Sequence, residues 1–103
     1  MKIKVLLVDD EEEFVEVLAE RLETRDFTVL KAFSADQALT QIAQQEVDVV
    51  VLDVLMPGKD GIEALREIKE KHPILEVIML TGNATVESAV NGLKLGAFDY
   101  LMK

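Results

Sequence analysis

Short continuous apolar runs alternate with amphipathic segments along the chain, and this alternation most constrains its fold. Runs such as VDVVVL, at positions 47–52 after Glu46, are typical of strands buried on both faces of a parallel sheet. Between the runs, apolar residues such as Phe14, Leu18 and Leu22 recur at the spacing of an amphipathic helix. The sequence therefore predicts an α/β fold in which helices cover both faces of a parallel sheet.

The predicted strands and helices follow the order (βα)4β. Strands are predicted at 3–8, 27–32, 47–52, 75–80 and 97–102, and helices at 11–24, 35–45, 62–71 and 84–95. Ser34 suits a helix N-cap, Pro73 stops a helix, and Gly96 suits the position just after one. The alternation implies right-handed crossovers within one domain spanning residues 1–103.

The composition argues against several classes of function. The net charge is −9 and the eleven Lys and Arg residues are scattered, so we expect no direct contact with nucleic acid or with an anionic membrane. No apolar run approaches the roughly 18 residues of a membrane span. The chain has no cysteine, which excludes disulfide and thiolate chemistry and is consistent with a cytoplasmic protein.

Charged and polar residues stand where the predicted strands end. They are Asp9 and Asp10 after the first strand, Asp53 after the third, Thr81 after the fourth and Lys103 after the fifth. In such sheets the ligand site lies beyond the carboxyl ends of the strands. Carboxylates about 4 Å apart repel by roughly 4 kcal/mol at an effective dielectric constant of about 20, and a divalent cation removes that cost. Oxygen ligands without His or Cys predict Mg²⁺, with Mn²⁺ as the other candidate.

Two interpretations of the acidic run remain open at this point. Asp10 would act as the N-cap of the first helix, with Glu13 closing a capping box. Acids at positions 11–13 also suit a first helical turn, because the helix dipole favours negative charge there. Asp53 favours a cation site for Asp9 and Asp10, because it places a further acid at the end of another buried strand.

An Asp beside a divalent cation can also be a nucleophile that forms an acyl phosphate. The metal would neutralise and orient the phosphoryl oxygens. The Lys103 ammonium and the Thr81 hydroxyl are placed to hold two further oxygens. The alternative for Thr81 is that it only caps the turn before the fourth helix.

The chain resembles the receiver domain of bacterial two-component response regulators. The matching segments are VLLVDDEEEF, VVVLDVLMPGKDGIEAL, VIMLTG and GAFDYLMK, in this order over nearly the whole chain. The resemblance implies a flavodoxin-like doubly wound sheet of strand order 2-1-3-4-5 and a phosphorylation-switched signalling function in phosphorelays and transcription regulation. Residues 81–103 look most similar to receivers of sigma-54 (NtrC-type) activators.

The resemblance implies roles for the acidic residues. Asp53 would accept a phosphoryl group from a histidine kinase. Asp10, Asp53 and the backbone carbonyl of Leu55 would bind Mg²⁺ directly, and Asp9 would help through water.

The resemblance also implies roles around the phosphoryl group. Thr81 would move to bond it, Lys103 would pair with it, and Tyr100 would turn inward as a switch, although plain packing is the alternative for Tyr100. The switch would remodel the face formed by the fourth helix and the fifth strand. Leu55 and Asn83 occupy positions that tune dephosphorylation. Since the Leu55 side chain cannot orient a water molecule, we expect a long-lived phosphoryl state.

The sequence departs from the family at Lys103, after which receivers usually continue into a fifth helix. Lacking that helix, apolar residues of the first and fifth strands would be exposed, and we expect a homodimer or rearranged packing there. One alternative is a self-associating fragment that no longer takes phosphate. Another is a Mg²⁺-dependent phosphohydrolase, but those enzymes carry a second acid where this chain has Leu55, so we expect no enzyme.

Overall fold

The structure, a computed structural model, describes residues 2–54, 61–81 and 91–103, with Thr81 described by its backbone alone. Five strands and three complete helices lie within these ranges. They are β1 (Lys4–Val8), α1 (Glu12–Glu23), β2 (Thr28–Ala32), α2 (Ala35–Gln44), β3 (Val49–Asp53), α3 (Gly61–Lys71), β4 (Glu76–Thr81) and β5 (Asp99–Met102). Residues 91–94 are also helical, and the helix predicted at 84–95 lies outside the described residues up to position 90.

The five strands form one parallel sheet in the order β2-β1-β3-β4-β5, which confirms the predicted strand order. β1 and β3 are neighbours, and Val8 pairs with Leu52 at their ends. β4 lies on the other side of β3, with Asp53 beside Leu80, and β5 forms the edge beyond it. The carboxyl ends of the strands therefore meet at one edge of the sheet, as the sequence predicts.

Helices pack on both faces of the sheet, because successive strand residues point in opposite directions. α2 and α3 cover one face, whose fully buried residues include Leu6, Val50, Leu52, Leu65, Ile68 and Val77. α1 covers the other face through a smaller cluster formed by Val5, Leu7, Val15 and Ala19. The sheet is thus the middle layer of a three-layer α/β fold.

The α1 face is covered less completely than the face under α2 and α3. Val51 and Ile78, which pair across β3 and β4, are half-buried, and Leu101 on β5 is 50% exposed. The prediction of exposed apolar residues is therefore confirmed for the fifth strand. It is wrong for the first strand, because α1 buries Val5 and Leu7.

Two of the helix ends confirm the residues that the sequence predicts there. The Ser34 hydroxyl accepts a hydrogen bond from the N–H of Gln37 at 3.2 Å, which confirms the predicted N-cap of α2. Gly96 has a φ of 109° just after the helical residues 91–94, as predicted. Asp26 has a φ of 71° after α1, a left-handed position that the sequence pattern did not reveal.

Gly61 lies where α3 meets the end of β3. The sequence predicts that this helix begins at position 62, but the structure makes Gly61 the first residue of α3. A Cβ atom there would overlap the backbone of Val54, with the Val54 carbonyl oxygen only 2.7 Å away. Only glycine permits this close approach.

Among the residues that the structure describes, no helix is both long enough and apolar enough to cross a bilayer.

Candidate functional site

Three carboxylates converge where β1 and β3 end. Asp9 follows β1 directly, Asp53 is the last residue of β3, and the two strands are hydrogen-bonded neighbours. Asp9 and Asp53 are 1% and 3% exposed, whereas Asp10 is exposed. Carboxylate oxygens of Asp9, Asp10 and Asp53 all lie within 4.8 Å of one another. The predicted convergence of these residues is therefore confirmed.

Lys103 supplies positive charge to this cluster from the end of β5. Its Nζ atom lies 2.8 Å from Asp9 Oδ2 and 3.5 Å from Asp53 Oδ2, and it also forms an ion pair with Glu11. The ammonium lies over the ring of Phe14, 4.9 Å from its centroid, which is a cation–π distance. The Lys103 side chain is only 12% exposed and Asp9 and Asp53 are buried, so water screens the contacts of Lys103 with these two carboxylates weakly.

The carboxylates change the acid–base behaviour of Lys103. Burial alone would lower the pKa of Lys103, because it penalises the charged form. The contacts with Asp9 and Glu11 and the nearby charge of Asp53 act in the opposite direction and prevail. The pKa of Lys103 is therefore held well above its usual range, and the ammonium is a permanent charge at neutral pH.

Asp9 also shapes the start of α1. Its Oδ1 atom accepts a hydrogen bond from the backbone N–H of Glu11 at 3.0 Å, and Glu11 occupies the N-cap position without a side-chain cap. The interpretation of Asp10 as an N-cap paired with Glu13 is therefore wrong. The helix begins one residue later, and Asp10 belongs to the acidic cluster instead. Glu12 and Glu13 do lie in the first helical turn, as expected.

The cluster has the donor set of a site for a hard divalent cation. Its ligand atoms are carboxylate oxygens from Asp9, Asp10 and Asp53, without a His or Cys. The nearby Lys103 offers one positive charge against three carboxylates. Asp9 Oδ2 is buried with the Lys103 ammonium 2.8 Å away, and an ionised carboxylate has enough lone pairs to contact an ammonium and a cation together. The residues present thus fit a divalent cation.

The remaining predicted site residues are described to different extents. Leu55 and Asn83 lie outside the described residues. The backbone of Thr81 ends β4 beside Met102, which places it at the same sheet edge as the carboxylates. Tyr100 is half-buried on β5 and packs against the cluster under α2 and α3, next to Met79.

Sequence reasoning missed two residues that contact Lys103. It assigned Glu11 to a helical turn and Phe14 to the helix core. Acidic and aromatic side chains are the expected neighbours of a buried ammonium. Which of them contact Lys103 can be predicted only when the path of its side chain is known.

Comparisons with known proteins give a consistent family. The family described as the response regulator receiver domain matches residues 5–103. An NtrX-like response regulator from Rickettsia bellii is 40% identical over 103 residues, covering 98% of this chain and 22% of that protein. The transcriptional regulatory protein CpxR from Klebsiella pneumoniae is 45% identical over 100 residues, covering 97% of this chain and 42% of that protein. The chain spans less than half the length of these relatives.

Solved structures show the same fold. A CheY-like receiver domain protein from Methanospirillum hungatei has a TM-score of 0.95 and 29% identity, covering 100% of this chain and 82% of that chain. A Burkholderia pseudomallei response regulator, crystallised with a phosphorylated aspartic acid, calcium ion and citrate, has a TM-score of 0.93 and 29% identity, covering 99% and 60%. Sequence and strand order agree, and the chain belongs to the receiver-domain family of response regulators, which are phosphorylation-switched signalling modules.

Proposed function

We propose that Asp53 accepts a phosphoryl group from a histidine kinase and thereby switches the chain between two signalling states. The position of Asp53 carries this proposal. Its carboxylate is buried, lies within 4.8 Å of the Asp9 and Asp10 oxygens, and has the Lys103 ammonium 3.5 Å away. A transferred phosphoryl group needs positive charge beside its oxygens, and this position offers both a cation-binding set and a permanently charged ammonium. The phosphorylated aspartic acid of the B. pseudomallei relative supports the same chemistry.

The proposed step is a displacement at phosphorus. One carboxylate oxygen of Asp53 attacks the phosphorus atom of a phosphohistidine, and a P–O bond forms while the P–N bond breaks. The electron pair of the broken bond stays on the imidazole nitrogen of the kinase. Lys103 neutralises the new charge by moving from Asp9 towards a phosphoryl oxygen. The product is an acyl phosphate on Asp53.

We infer that the cation held by Asp9, Asp10 and Asp53 is Mg²⁺, with Mn²⁺ as the substitute. The backbone carbonyl of Leu55 would be a further ligand, and Asp9 would act through water. Carboxylate and carbonyl oxygens suit these hard cations. When bound, the cation would neutralise and orient the phosphoryl oxygens during transfer.

The phosphoryl group would shift the chain between two populations through Thr81 and Tyr100. Thr81 would bond a phosphoryl oxygen, and Tyr100 would turn inward from its half-buried position when Thr81 moves. Because Leu55 cannot orient an attacking water, we propose a long-lived acyl phosphate. A half-life of seconds would contradict that expectation.

The partners follow from the family. We propose a histidine kinase as phosphodonor, a regulatory role in transcription without direct DNA contact by this domain, a cytoplasmic location and no enzymatic turnover. The resemblance of residues 81–103 favours a sigma-54 activator of the NtrC type as the sub-family. The half-buried Val51 and Ile78 and the exposed Leu101 favour a homodimer through the α1 face. Sedimentation velocity would test this dimer.

Phosphorylation is tested by intact mass after incubation with acetyl phosphate and Mg²⁺. We expect the added mass of one phosphoryl group in the wild type and none in Asp53→Asn or after chelation of the metal. Asp36→Asn is a matched control, because Asp36 lies in the first turn of α2, outside the cluster. An unmodified wild type, or modification that persists in Asp53→Asn, would contradict the proposal.

A further inference from the structure

The proposed phosphoryl transfer assigns no role to Glu11. Its carboxylate forms an ion pair with Lys103, although Glu11 is not one of the three residues that form the cation-binding cluster. The Glu11 side chain is 65% exposed, whereas the Lys103 side chain is 12% exposed. Glu11 therefore reaches the ammonium from the solvent side, while Asp9 contacts it from the buried side at 2.8 Å.

Asp53 is the more distant carboxylate in this arrangement. Its Oδ2 atom lies 3.5 Å from the Lys103 ammonium. Lys103 must turn towards Asp53 to hold a phosphoryl oxygen there. A divalent cation at Asp9 and Asp10 would weaken the hold of Asp9 on the ammonium, because it offsets the charge of that carboxylate. Glu11 lies outside the metal cluster and would remain as the competitor for Lys103.

We propose that Glu11 is a positioning residue that retains Lys103 in the unphosphorylated state and competes with the phosphoryl group for its ammonium. This inference rests on the proposed phosphorylation of Asp53. Loss of the Glu11 charge removes an ion pair that stabilises only the unphosphorylated state. The balance then shifts towards the phosphorylated state, and Glu11 limits how readily the switch is turned on.

The test compares Glu11→Gln with Glu12→Gln. Both variants remove one negative charge near the start of α1, but Glu12 shows no contact with Lys103 in the structure. The steady-state phosphorylated fraction is measured by intact mass at subsaturating acetyl phosphate with Mg²⁺. We expect Glu11→Gln to raise the ratio of phosphorylated to unphosphorylated protein about 1.4- to fivefold, the range that an exposed ion pair supplies. Glu12→Gln should stay close to the wild type.

A second measurement separates positioning from a general effect of charge. The Lys103 side-chain resonances of the unphosphorylated protein are followed by NMR, assigned with Lys103→Met. Glu11→Gln should shift them and Glu12→Gln should not. The difference in phosphorylation between Glu11→Gln and the wild type should also shrink in high salt, because water and ions reach Glu11. We expect Glu11→Gln to fold like the wild type, because the Glu11 side chain makes no capping hydrogen bond.

The outcomes distinguish the two proposals. If the wild type takes no phosphoryl group, the proposed function fails and the role of Glu11 fails with it. If the wild type is phosphorylated but Glu11→Gln equals Glu12→Gln, or lowers the phosphorylated fraction, only the role of Glu11 is overturned. Unshifted Lys103 resonances in Glu11→Gln would also overturn it.

Discussion

At the residue scale, one ammonium balances several carboxylates. Lys103 follows the edge strand β5, and its side chain reaches Asp9 at the end of β1, three strands away in the sheet. Asp9 and Asp53 are buried, so their charges depend on a partner inside the protein. A buried carboxylate that loses its partner keeps the cost of desolvation without the compensating attraction. Lys103 is therefore a stabilising residue in the metal-free protein as well as a proposed contact of the phosphoryl group.

Lys103→Met should destabilise the metal-free protein. We expect the free energy of unfolding to fall by about 1–3 kcal/mol, the usual cost of leaving a buried polar group without its partner. Urea denaturation in the presence of a chelator measures this change. Lys94→Met is the control, because Lys94 is exposed and takes no part in the ion pairs that Lys103 forms with Asp9, Glu11 and Asp53. An equal effect of the two substitutions would contradict the prediction.

The same substitution has a defined pH dependence. A lysine in the unfolded chain titrates at about pH 10.4, and the folded protein raises the pKa of Lys103 above that value. The resulting stability is fully present below the unfolded pKa and is lost as pH rises through the folded pKa. The difference in unfolding free energy between the wild type and Lys103→Met should stay constant from about pH 7 to about pH 9 and shrink above about pH 10. A difference that shrinks between about pH 7 and about pH 9 would contradict this assignment.

The acidic residues of the site could be predicted from the sequence, whereas the pairing of Lys103 with Glu11 could not. Asp9, Asp10 and Asp53 could be found because strand ends in a parallel sheet meet at one edge, and that rule needs only element order. The pairing of Lys103 with Glu11 joins residues 92 positions apart. It depends on the rotamer of one long side chain, which no local pattern specifies.

At the element scale, the junction between β3 and α3 depends on Gly61. The first turn of α3 lies against the Val54 backbone, immediately after the strand that carries Asp53. Backbone atoms cannot move aside as a flexible side chain can. Any side chain at position 61 would therefore displace the helix or the end of the strand.

Gly61→Ala should destabilise the protein more than Gly92→Ala. Both add one methyl group, but the Cβ at position 92 would meet the flexible side chain of Met79 instead of backbone. We expect Gly61→Ala to lower the free energy of unfolding by about 1–3 kcal/mol or more. Gly92→Ala should cost less, because alanine gains up to about 1 kcal/mol of helix propensity over glycine. Urea denaturation of both variants checks the order, and a Gly61→Ala variant as stable as the wild type would contradict it.

The periodicity of the sequence predicted the bounds of the strands and helices well, but it predicted the exposure of their residues less well. The strands and the three complete helices begin and end within two residues of the predicted limits, because apolar runs and capping residues act locally. The exposure of the first strand was predicted wrongly, since α1 covers it more fully than the pattern suggested. The left-handed Asp26 was also missed, because aspartate only weakly signals that conformation.

At the scale of the whole molecule, folding concentrates negative charge. The chain carries a net charge of −9, and the fold brings three of its carboxylates within 4.8 Å of one another at one edge. The unfolded chain spreads these charges apart. A divalent cation that binds the cluster therefore binds the folded state preferentially and stabilises it by linkage.

Mg²⁺ should raise the thermal midpoint of the protein well beyond the effect of ionic strength. At about 100 times its dissociation constant, a ligand specific for the folded state adds about 2.7 kcal/mol. For a domain of this size that corresponds to a rise of roughly 10–20 °C, at about 4–8 °C per kcal/mol.

Asp10→Asn is the variant that separates cation binding from a general effect of ionic strength. It removes an exposed ligand, so the response to Mg²⁺ should fall, while relief of repulsion with Asp9 and Asp53 should raise the midpoint without metal. Differential scanning calorimetry with Mg²⁺, and with NaCl matched in ionic strength, measures both effects. An equal rise with NaCl, or an undiminished response to Mg²⁺ in Asp10→Asn, would show that the carboxylate cluster is not a cation site.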